Sequence, residues 1–258
     1  MHRVDASGGK SEVHLLGIRL FGEPLRELQS AALAAVAERD RTFIFACANP
    51  HSLIVAKADV PFRRALERAS AVVADGVGCQ WGAVLSGVRI GPRITGMDFF
   101  LSTMAALNRE RRRAFFFGSS DEVLSTLTAR VSRDFPDVTI GSLSPPFRVW
   151  SSSENSEMIR QIRNFEPDVL WVGMTAPKQE TWVDANVEQL AVPVIGSIGA
   201  VFDYYAGTTK RAPPWICRLG LEWLYRLPRE PKRLWERTFV SAPLFLWYAC
   251  QERFKRPI

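Results

Sequence analysis

The sequence lacks the features that would assign it to a membrane-spanning or secreted class. No stretch of about 18 or more uninterrupted apolar residues occurs, which argues against a transmembrane helix. The longest candidate runs from Phe239 to Cys250, and it is short and contains Pro243. Residues 1–12 have no apolar core, so they do not resemble a signal peptide, and we expect a flexible leader there.

Cysteine and histidine are also too scattered to indicate a metal or disulfide framework. The 4 cysteines lie far apart without paired spacing, and the 3 histidines do not cluster. This distribution argues against a zinc site and fits a reducing cytosol. We therefore expect neither a metal nor another cofactor.

The positive charge of the chain is concentrated at one end. The formal net charge is +6, yet residues 1–204 carry 22 Lys+Arg against 23 Asp+Glu. Residues 205–258 carry 11 against 4, together with 4 of the 8 tryptophans. A basic segment rich in Trp and Tyr suits nucleic acid or an anionic membrane surface, and the aromatic rings favour the membrane interface.

Apolar runs alternate with helical patterns over most of the chain. A short strand is predicted over residues 13–22 and a helix over residues 24–39. The later apolar runs, which are typical of buried strands, are TFIFACA (42–48), AVVADG (71–76), RAFFFGS (113–119), DVTIGSL (137–143), DVLWVGM (168–174) and VPVIGSIG (192–199). The alternation predicts an α/β fold with a Rossmann-like, doubly wound, mostly parallel sheet.

The strand signals stop near Gly207, where the charge balance also changes. We therefore predict an α/β domain over residues 13–206 and a basic, Trp-rich helical appendage over residues 207–258. Two helices are predicted in the appendage, at about 213–227 and 231–250, separated by prolines.

Polar and glycine-containing turns follow five of the predicted strands. Their residues are CANP (47–50), DGVG (75–78), FGSS (117–120), GMTAPKQE (173–180) and GAVFD (199–203). Because ligands of open parallel sheets bind beyond the carboxyl ends of the strands, these turns predict a binding site. Helix N-termini there would offer N–H groups to phosphates.

Asp75 ends the run AVVA and has two interpretations. It can cap the following helix, as strand-end aspartates commonly do. Alternatively it is a general base at the sheet edge, where partial burial raises the pKa of a carboxylate. Gly76 and Gly78 beside it would let a ligand approach the backbone closely.

Standard nucleotide-binding motifs are missing. The sequence contains no G-x-G-x-x-G after a strand, no G-x-x-x-x-G-K-[ST] and no Asp-x-Asp. Arginines and helix ends would then have to neutralise any bound phosphate. Arg218, Glu222 and Arg226 share one helix face, although an ordinary solvated face of an amphipathic helix has the same pattern.

Five motifs together resemble the WecG/TagA/CpsF glycosyltransferases. They are DGVG (75–78), RITGMD (93–98), APKQE (176–180), FDYYAGTTKRAPPW (202–215) and GLEWLYRLPREPKRLW (220–235). The resemblance extends in order from about residue 13 to residue 240. It implies inverting, metal-independent transfer of a sugar of the ManNAc, ManNAcA or glucose type. The donor would be a UDP-sugar and the acceptor a polyprenyl-diphosphate-linked saccharide of a cell-surface polymer such as an exopolysaccharide.

The resemblance also implies roles for individual residues. Asp75 would be the catalytic base. The arginines that the appendage would supply to the departing UDP are Arg211, Arg218, Arg226, Arg229 and Arg233. The other expected substrate-binding residues are Cys47, Asn49, Gly76, Arg93, Gly118, Gln179 and Asp203. The enzyme would act in the cytoplasm as a peripheral protein on the inner face of the bacterial plasma membrane. It would contact anionic lipid and no nucleic acid, and homo-oligomerisation is left open.

Two positions depart from the family pattern. Cys47 stands where a hydroxyl residue often precedes Asn-Pro, and Thr175 stands where a glycine is common. Either change can reflect a different sugar or a conservative repacking. A non-catalytic subunit of a polysaccharide assembly complex that binds a nucleotide or lipid diphosphate is the alternative function. A methyltransferase or epimerase is disfavoured by the missing glycine motif.

Overall fold

The computed structural model describes residues 13–209, 212–213, 216, 225 and 235–255. The strands are β1 (Val13–Leu15), β2 (Ile18–Leu20), β3 (Phe43–Ala48), β4 (Ala71–Ala74), β5 (Arg113–Gly118), β6 (Thr139–Leu143), β7 (Val169–Gly173) and β8 (Val194–Ser197). Strands β3 to β8 form a 6-stranded sheet in the order β4-β3-β8-β7-β5-β6. Every neighbouring pair in it is parallel, which confirms the predicted fold class.

The predicted single strand over residues 13–22 is wrong, because two antiparallel strands occupy this region. Leu15 pairs with Ile18, so only Leu16 and Gly17 form the turn. Both have positive φ, at 51° and 81°, as a two-residue hairpin turn requires. The sequence pattern does not predict this hairpin, because its first turn residue is a leucine and positive φ is uncommon for leucine.

Helices lie on both faces of the sheet. They are α1 (Leu25–Glu38), α2 (Pro50–Ala58), α3 (Val60–Arg68), α4 (Val77–Leu85), α5 (Gly96–Arg109), α6 (Asp121–Asp134), α7 (Ser152–Phe165), α8 (Lys178–Leu190), α9 (Val201–Ala206) and α10 (Ala242–Lys255), with a π-helix (Glu236–Ser241) directly before α10. Polar caps begin two of them: Asn49 forms a capping box at α2, and Ser120 accepts a hydrogen bond from the backbone N–H of Val123 at α6.

Alternate side chains of the six parallel strands enter three hydrophobic clusters, one on one face of the sheet and two on the other. On one face, Phe45, Phe99 and Trp171 pack with α1, α5, α6 and α9, and the Phe45 and Phe99 rings stack with centroids 4.2 Å apart. On the other face, Leu170 and its neighbours pack against helices that include α7 and α8. The sheet is thus buried on both sides, and only the loops at its edges are open to ligands.

The π-helix and α10 pack against α2 and α4. Phe245 is 1% exposed, and a Cβ added at Gly82 of α4 would overlap its ring. The Ser86 hydroxyl donates a hydrogen bond to the carbonyl of Ala249 at 3.0 Å. Pro243 cannot donate an i→i−4 bond, and the winding changes from π to α one residue before it.

The helix predicted at 231–250 is confirmed where the structure describes it, and it continues to Lys255. The leader predicted over residues 1–12 and most of the helix predicted at 213–227 lie outside the described residues. The boundary near Gly207 stays a prediction. Gly207 itself ends α9 with a φ of 83°.

Candidate active site

A cavity of about 1040 Å³ opens at the carboxyl ends of the parallel strands. The structure brings all five predicted turns to it, at residues 47–50, 75–78, 117–120, 173–180 and 199–203. We call these segments the strand-end turns. Their convergence follows from the topology, because in an all-parallel sheet the chain leaves every strand at the same edge.

Asp75 is fixed at this edge by the backbone. Its N–H donates a hydrogen bond to the carbonyl of Ala48 at 2.7 Å, which extends the pairing of β3 and β4 by one residue. Helix α4 starts at Val77, and Gly76, with a φ of 87°, takes the N-cap position instead of Asp75. The carboxyl group lines the cavity, as a general base would have to do.

Asn49 is held on the neighbouring wall by the first turn of α2. Its side-chain oxygen accepts a hydrogen bond from the Ser52 N–H at 3.0 Å, and the Ser52 hydroxyl accepts one from the Asn49 N–H at 3.2 Å. Gly78 lets α4 approach this turn, since a Cβ there would lie 2.6 Å from Cγ of Pro50. The two helix starts beside Asp75 therefore pack directly against each other.

Gln179 and Glu180 form a buried polar pair in the first turn of α8. Gln179 Oε1 accepts a hydrogen bond from the Met174 N–H at 3.2 Å, and its Nε2 donates to Glu180 Oε1 at 2.8 Å. Burial raises the pKa of Glu180 to about 7, although the hydrogen bonds from Gln179 and from its own backbone act in the opposite direction. Glu180 therefore changes protonation near neutral pH.

Cys47 lies close to the carboxyl groups of Asp75 and Glu180. Burial raises the pKa of its thiol well above the usual value, and the negative charges of Asp75 and Glu180 add to the effect. A Cβ at Gly96 would lie 3.3 Å from the sulfur, so the start of α5 closes over it. The thiol is neutral at physiological pH and suits hydrogen bonding better than nucleophilic attack.

The C-terminal helices supply the wall opposite the sheet. We call residues 235–255 the C-terminal cover. Its members that line the cavity are Arg237, Thr238, Ala242, Pro243, Phe245 and Leu246. Nδ1 of His51 lies 2.8 Å from the Ser241 hydroxyl oxygen and forms a hydrogen bond that joins the cover to the first turn of α2. The site is therefore assembled from the strand-end turns and the cover together.

Comparison with known proteins identifies the family of the chain. The profile of the family described as "Glycosyl transferase WecG/TagA/CpsF family" matches residues 13–258. The chain belongs to this family. The resemblance found in the motifs is thus confirmed, and the protein is a glycosyltransferase, not a methyltransferase, an epimerase or a non-catalytic subunit.

Three relatives share one name, N-acetylglucosaminyldiphosphoundecaprenol N-acetyl-beta-D-mannosaminyltransferase. The protein of Bacillus spizizenii strain W23 is 30% identical over 199 residues, 77% of this chain and 75% of the relative. That of Bacillus subtilis strain 168 is 28% identical over 213 residues, covering 83% and 81%. That of Staphylococcus aureus strain MW2 is 23% identical over 253 residues, covering 98% and 97%.

The structure places most of the residues implied by the family resemblance on the cavity wall. They are Cys47, Asn49, Asp75, Gly76, Arg93, Gln179 and Asp203. Gly118 does not line the cavity, although Ser119 beside it does. Gly118 has a φ of 123°, and a Cβ there would lie 2.5 Å from the carbonyl oxygen of Gly173, so glycine allows β5 and β7 to end close together. Arg211, Arg218, Arg226, Arg229 and Arg233 lie outside the described residues.

Sequence reasoning missed three charged groups on the wall, Lys178, Glu180 and Arg237. Lys178 and Glu180 flank Gln179 in the quoted motif APKQE. Arg237 follows Arg229 and Arg233 at intervals of four residues, so helical spacing was the signal that would have found it. The Lys178 ammonium lies 4.1 Å from the centre of the Trp150 ring, which holds it at the cavity mouth.

Proposed function

We propose that this glycosyltransferase moves N-acetylmannosamine from its UDP-sugar to undecaprenyl-diphosphate-linked N-acetylglucosamine, with inversion at the anomeric carbon. The observation that carries the proposal is the match to relatives of that name over nearly the full chain, with Asp75 on the cavity wall. The cavity volume of about 1040 Å³ lies at the upper end of the range for single-ligand sites. It therefore suits a donor and an acceptor head group together.

In this proposal Asp75 accepts the proton of the acceptor hydroxyl. The hydroxyl oxygen attacks the anomeric carbon of the donor from the face opposite to the diphosphate. The bond between that carbon and the diphosphate oxygen breaks, and UDP leaves with the electron pair. The single displacement inverts the anomeric centre, and Asp75 returns its proton to solvent after product release.

The negative charge that develops on UDP needs cationic partners. Arg93, Lys178 and Arg237 stand on the cavity wall and meet this requirement from the α4–α5 loop, α8 and the cover. Arg211, Arg218, Arg226, Arg229 and Arg233 are proposed as further partners. Hydrogen bonds from guanidinium groups to diphosphate oxygens are among the strongest in proteins because both partners are charged.

We place the enzyme at the inner face of the plasma membrane, where it binds peripherally. Among the helices that the structure describes, none is long and apolar enough to cross a bilayer. The outer face of the cover instead exposes large apolar side chains beside the exposed Arg253. Trp235, Trp247 and Phe254 are 63%, 62% and 87% exposed. This combination favours the interface of an anionic bilayer, where Trp215 and Trp223 would add further rings.

A different donor sugar is the alternative within the same reaction class. Cys47 and Thr175 depart from the family pattern, and both line the cavity. Exchange of one hydrogen-bonding group in a pocket can change the preferred substrate by orders of magnitude. UDP-linked ManNAcA and glucose are therefore the donors to compare.

The direct test mixes the protein with UDP-ManNAc and a short-chain polyprenyl-diphosphate GlcNAc, and follows the product mass. We expect release of UDP and a mass gain of one N-acetylhexosamine on the lipid. Parallel reactions with UDP-glucose and UDP-ManNAcA show whether another sugar is preferred. Absence of product with UDP-ManNAc, together with turnover of another donor, would replace the proposed sugar but keep the reaction class.

A further inference from the structure

Glu180 is a buried carboxyl group that faces the cavity and has no charged partner within the part of the chain that the structure describes. Its residue is 4% exposed, and its Oε1 accepts the hydrogen bond from Gln179 at 2.8 Å. Its Oε2 is buried and has no hydrogen-bond partner among the described residues. A buried carboxylate with one unpaired oxygen is strongly disfavoured, so the neutral carboxyl is the form that this environment stabilises.

The surroundings of Glu180 do not compensate a negative charge. Behind it lies a void of about 10 Å³, which Ala46, Ala65 and Ser197 also line. The Ser197 hydroxyl is buried and likewise has no hydrogen-bond partner among the described residues. The void is about the size of one water molecule, which can accept a hydrogen bond from Oε2–H of a protonated Glu180 and donate one to the Ser197 oxygen.

Cationic side chains lie on the same helix and in the same cavity as Glu180, but no ion pair joins any described one of them to its carboxyl group. Lys178, two residues earlier, lies over the Trp150 ring. Asp184, on the same helix, is paired with Arg64 at 2.8 Å and with Arg68 at 2.9 Å, so these α3 guanidiniums are already engaged. Among the described residues, Glu180 takes part in no ion pair. Asp75 faces the same cavity from β4, and Asp98 on α5 acts with both carboxyls on the Cys47 thiol of β3.

We propose that Glu180 is a positioning residue that works in its protonated form. It holds the Gln179 amide in a fixed orientation and keeps a negative charge off this part of the wall, where the donor diphosphate binds. The inference rests on the proposed function in that it requires a nucleotide-sugar donor. Gln179 is locked at both ends of its amide, by Met174 and by Glu180, so one remaining N–H and one remaining lone pair can point to substrate.

A pH dependence follows for donor binding. Burial raises the pKa of Glu180 to about 7, so its ionisation falls within the range in which enzymes are assayed. The ionised form adds a negative charge to a wall that must accept a diphosphate, and it weakens donor binding. A bound donor favours the protonated form by the same linkage, so saturating donor hides the effect from kcat and leaves it in KM.

The experiment compares four proteins from about pH 6 to about pH 9. They are the wild type, Glu180→Gln, Glu180→Ala and the control Glu188→Gln, whose residue lies on the same helix with an 88% exposed side chain. The quantities measured are kcat and KM for the donor, and the Kd of UDP by calorimetry. Thermal unfolding checks that each variant is folded.

For the wild type and Glu188→Gln we expect the donor KM and the Kd of UDP to rise above neutral pH, by up to about tenfold per pH unit. Glu180→Gln mimics the neutral carboxyl in shape and should abolish this rise with little change in kcat. Glu180→Ala should weaken donor binding at every pH, because Gln179 loses its partner. Ionisation of the UDP phosphate affects all four proteins alike. Dividing the KM and Kd of each variant by the wild-type values at the same pH therefore removes its contribution.

Two results would overturn the inference. One is a Glu180→Gln profile that rises as steeply as that of the wild type, since Glu180 would then not titrate in this range. The other is a loss of binding in Glu180→Gln at all pH values, which would mean that the ionised form is required. Because calorimetry with UDP needs neither the sugar nor the acceptor, the inference can fail while the proposed transfer stands, or stand while the proposed sugar fails.

Discussion

The strand-end turns and the C-terminal cover line the same cavity, but they are held in place by different means. The turns follow strands with fully buried side chains on both faces, such as Leu170 on one face and Trp171 on the other. The cover is attached mainly through the burial of Phe245 and Ala249 against α4, with hydrogen bonds at Ser86 and His51. The half of the site that contains Asp75 is therefore fixed by the sheet, whereas the opposite wall is attached to it through a hydrophobic cluster that contains Phe245.

The cover differs from the core helices in a second respect. Its inner side meets the protein through Phe245, while its outer side exposes Trp247 and Phe254. A helix that is apolar on both sides usually has a partner on each. We therefore expect substitutions in the strand-end turns to change the catalysed chemistry. Substitutions in the cover should instead change the access of substrates and the attachment of the cover. Four predictions follow from this difference.

Asp75→Asn should give the largest effect, because it removes the proposed base without changing the shape of the turn. We expect turnover to fall by about 10²–10⁴-fold while the Kd of UDP stays close to the wild-type value. Asp121→Asn, on the exposed first turn of α6, is the matched control and should leave both quantities unchanged. Full activity of Asp75→Asn would remove Asp75 from the mechanism.

Gly82→Ala should loosen the cover without touching the strand-end turns. The new Cβ overlaps the Phe245 ring, and overpacking of this kind costs about 1–3 kcal/mol, here concentrated at the attachment of the cover. We expect turnover to fall about tenfold or more, with the main unfolding transition nearly unchanged. Limited proteolysis should show faster cleavage near residue 235.

A matched control for this substitution is Val84→Ala, two residues along α4 at a side chain that is 70% exposed. It should leave both turnover and proteolysis at wild-type levels. If Gly82→Ala instead lowers the stability of the whole protein, the cover and the core form one cooperative unit, and the contrast between them is wrong.

Trp247→Ser combined with Phe254→Ser should separate lipid binding from catalysis. Both residues are exposed, and neither lines the cavity. We expect binding to anionic liposomes to weaken about tenfold, since each ring contributes its buried apolar area at the interface. Turnover of a short-chain, water-soluble acceptor should persist. Unchanged sedimentation with liposomes would contradict the proposed membrane face.

Glu180→Gln should change kcat little and give a pH-dependent gain in the free energy of unfolding. The pKa of Glu180 is raised from 4.5 to about 7 in the folded protein, so the native state holds a proton that the unfolded state loses. Wild-type stability should therefore fall as pH rises from 4.5 to about 7, and then level off. The variant lacks this loss of about 3 kcal/mol, so its advantage should grow over the same interval. Chemical denaturation at several pH values measures it.

The sequence predicted the sheet and the convergence of the turns because both depend on local patterns. A run such as TFIFACA is apolar on both faces of the strand, so it can be recognised as a buried strand from its own residues. Parallel topology then brings the following turn to the common edge. The cap at Asn49 is equally local, because its hydrogen bonds are made within three residues. These features needed no knowledge of tertiary contacts.

What the sequence could not provide depends on distant packing. The burial of Glu180 results from the approach of β3, β8 and α3 around it, and its motif alone does not show that approach. Arg237 reaches the cavity only because Phe245 seats the cover against Gly82, more than 150 residues away along the chain. Gly118 was predicted to contact substrate, yet its conformation is needed for the close ends of β5 and β7.

The apolar lining of the cover, formed by Ala242, Pro243, Phe245 and Leu246, bears on side reactions under the proposed function. Water is a competing nucleophile for the anomeric carbon of a bound UDP-sugar. A wall without hydrogen-bonding side chains on this stretch excludes ordered water from the donor while the lipid-linked hydroxyl is absent. Loosening the cover should therefore raise hydrolysis of the donor relative to sugar transfer. The packing of the Phe245 ring would then determine how much polymer is made for each UDP-sugar consumed.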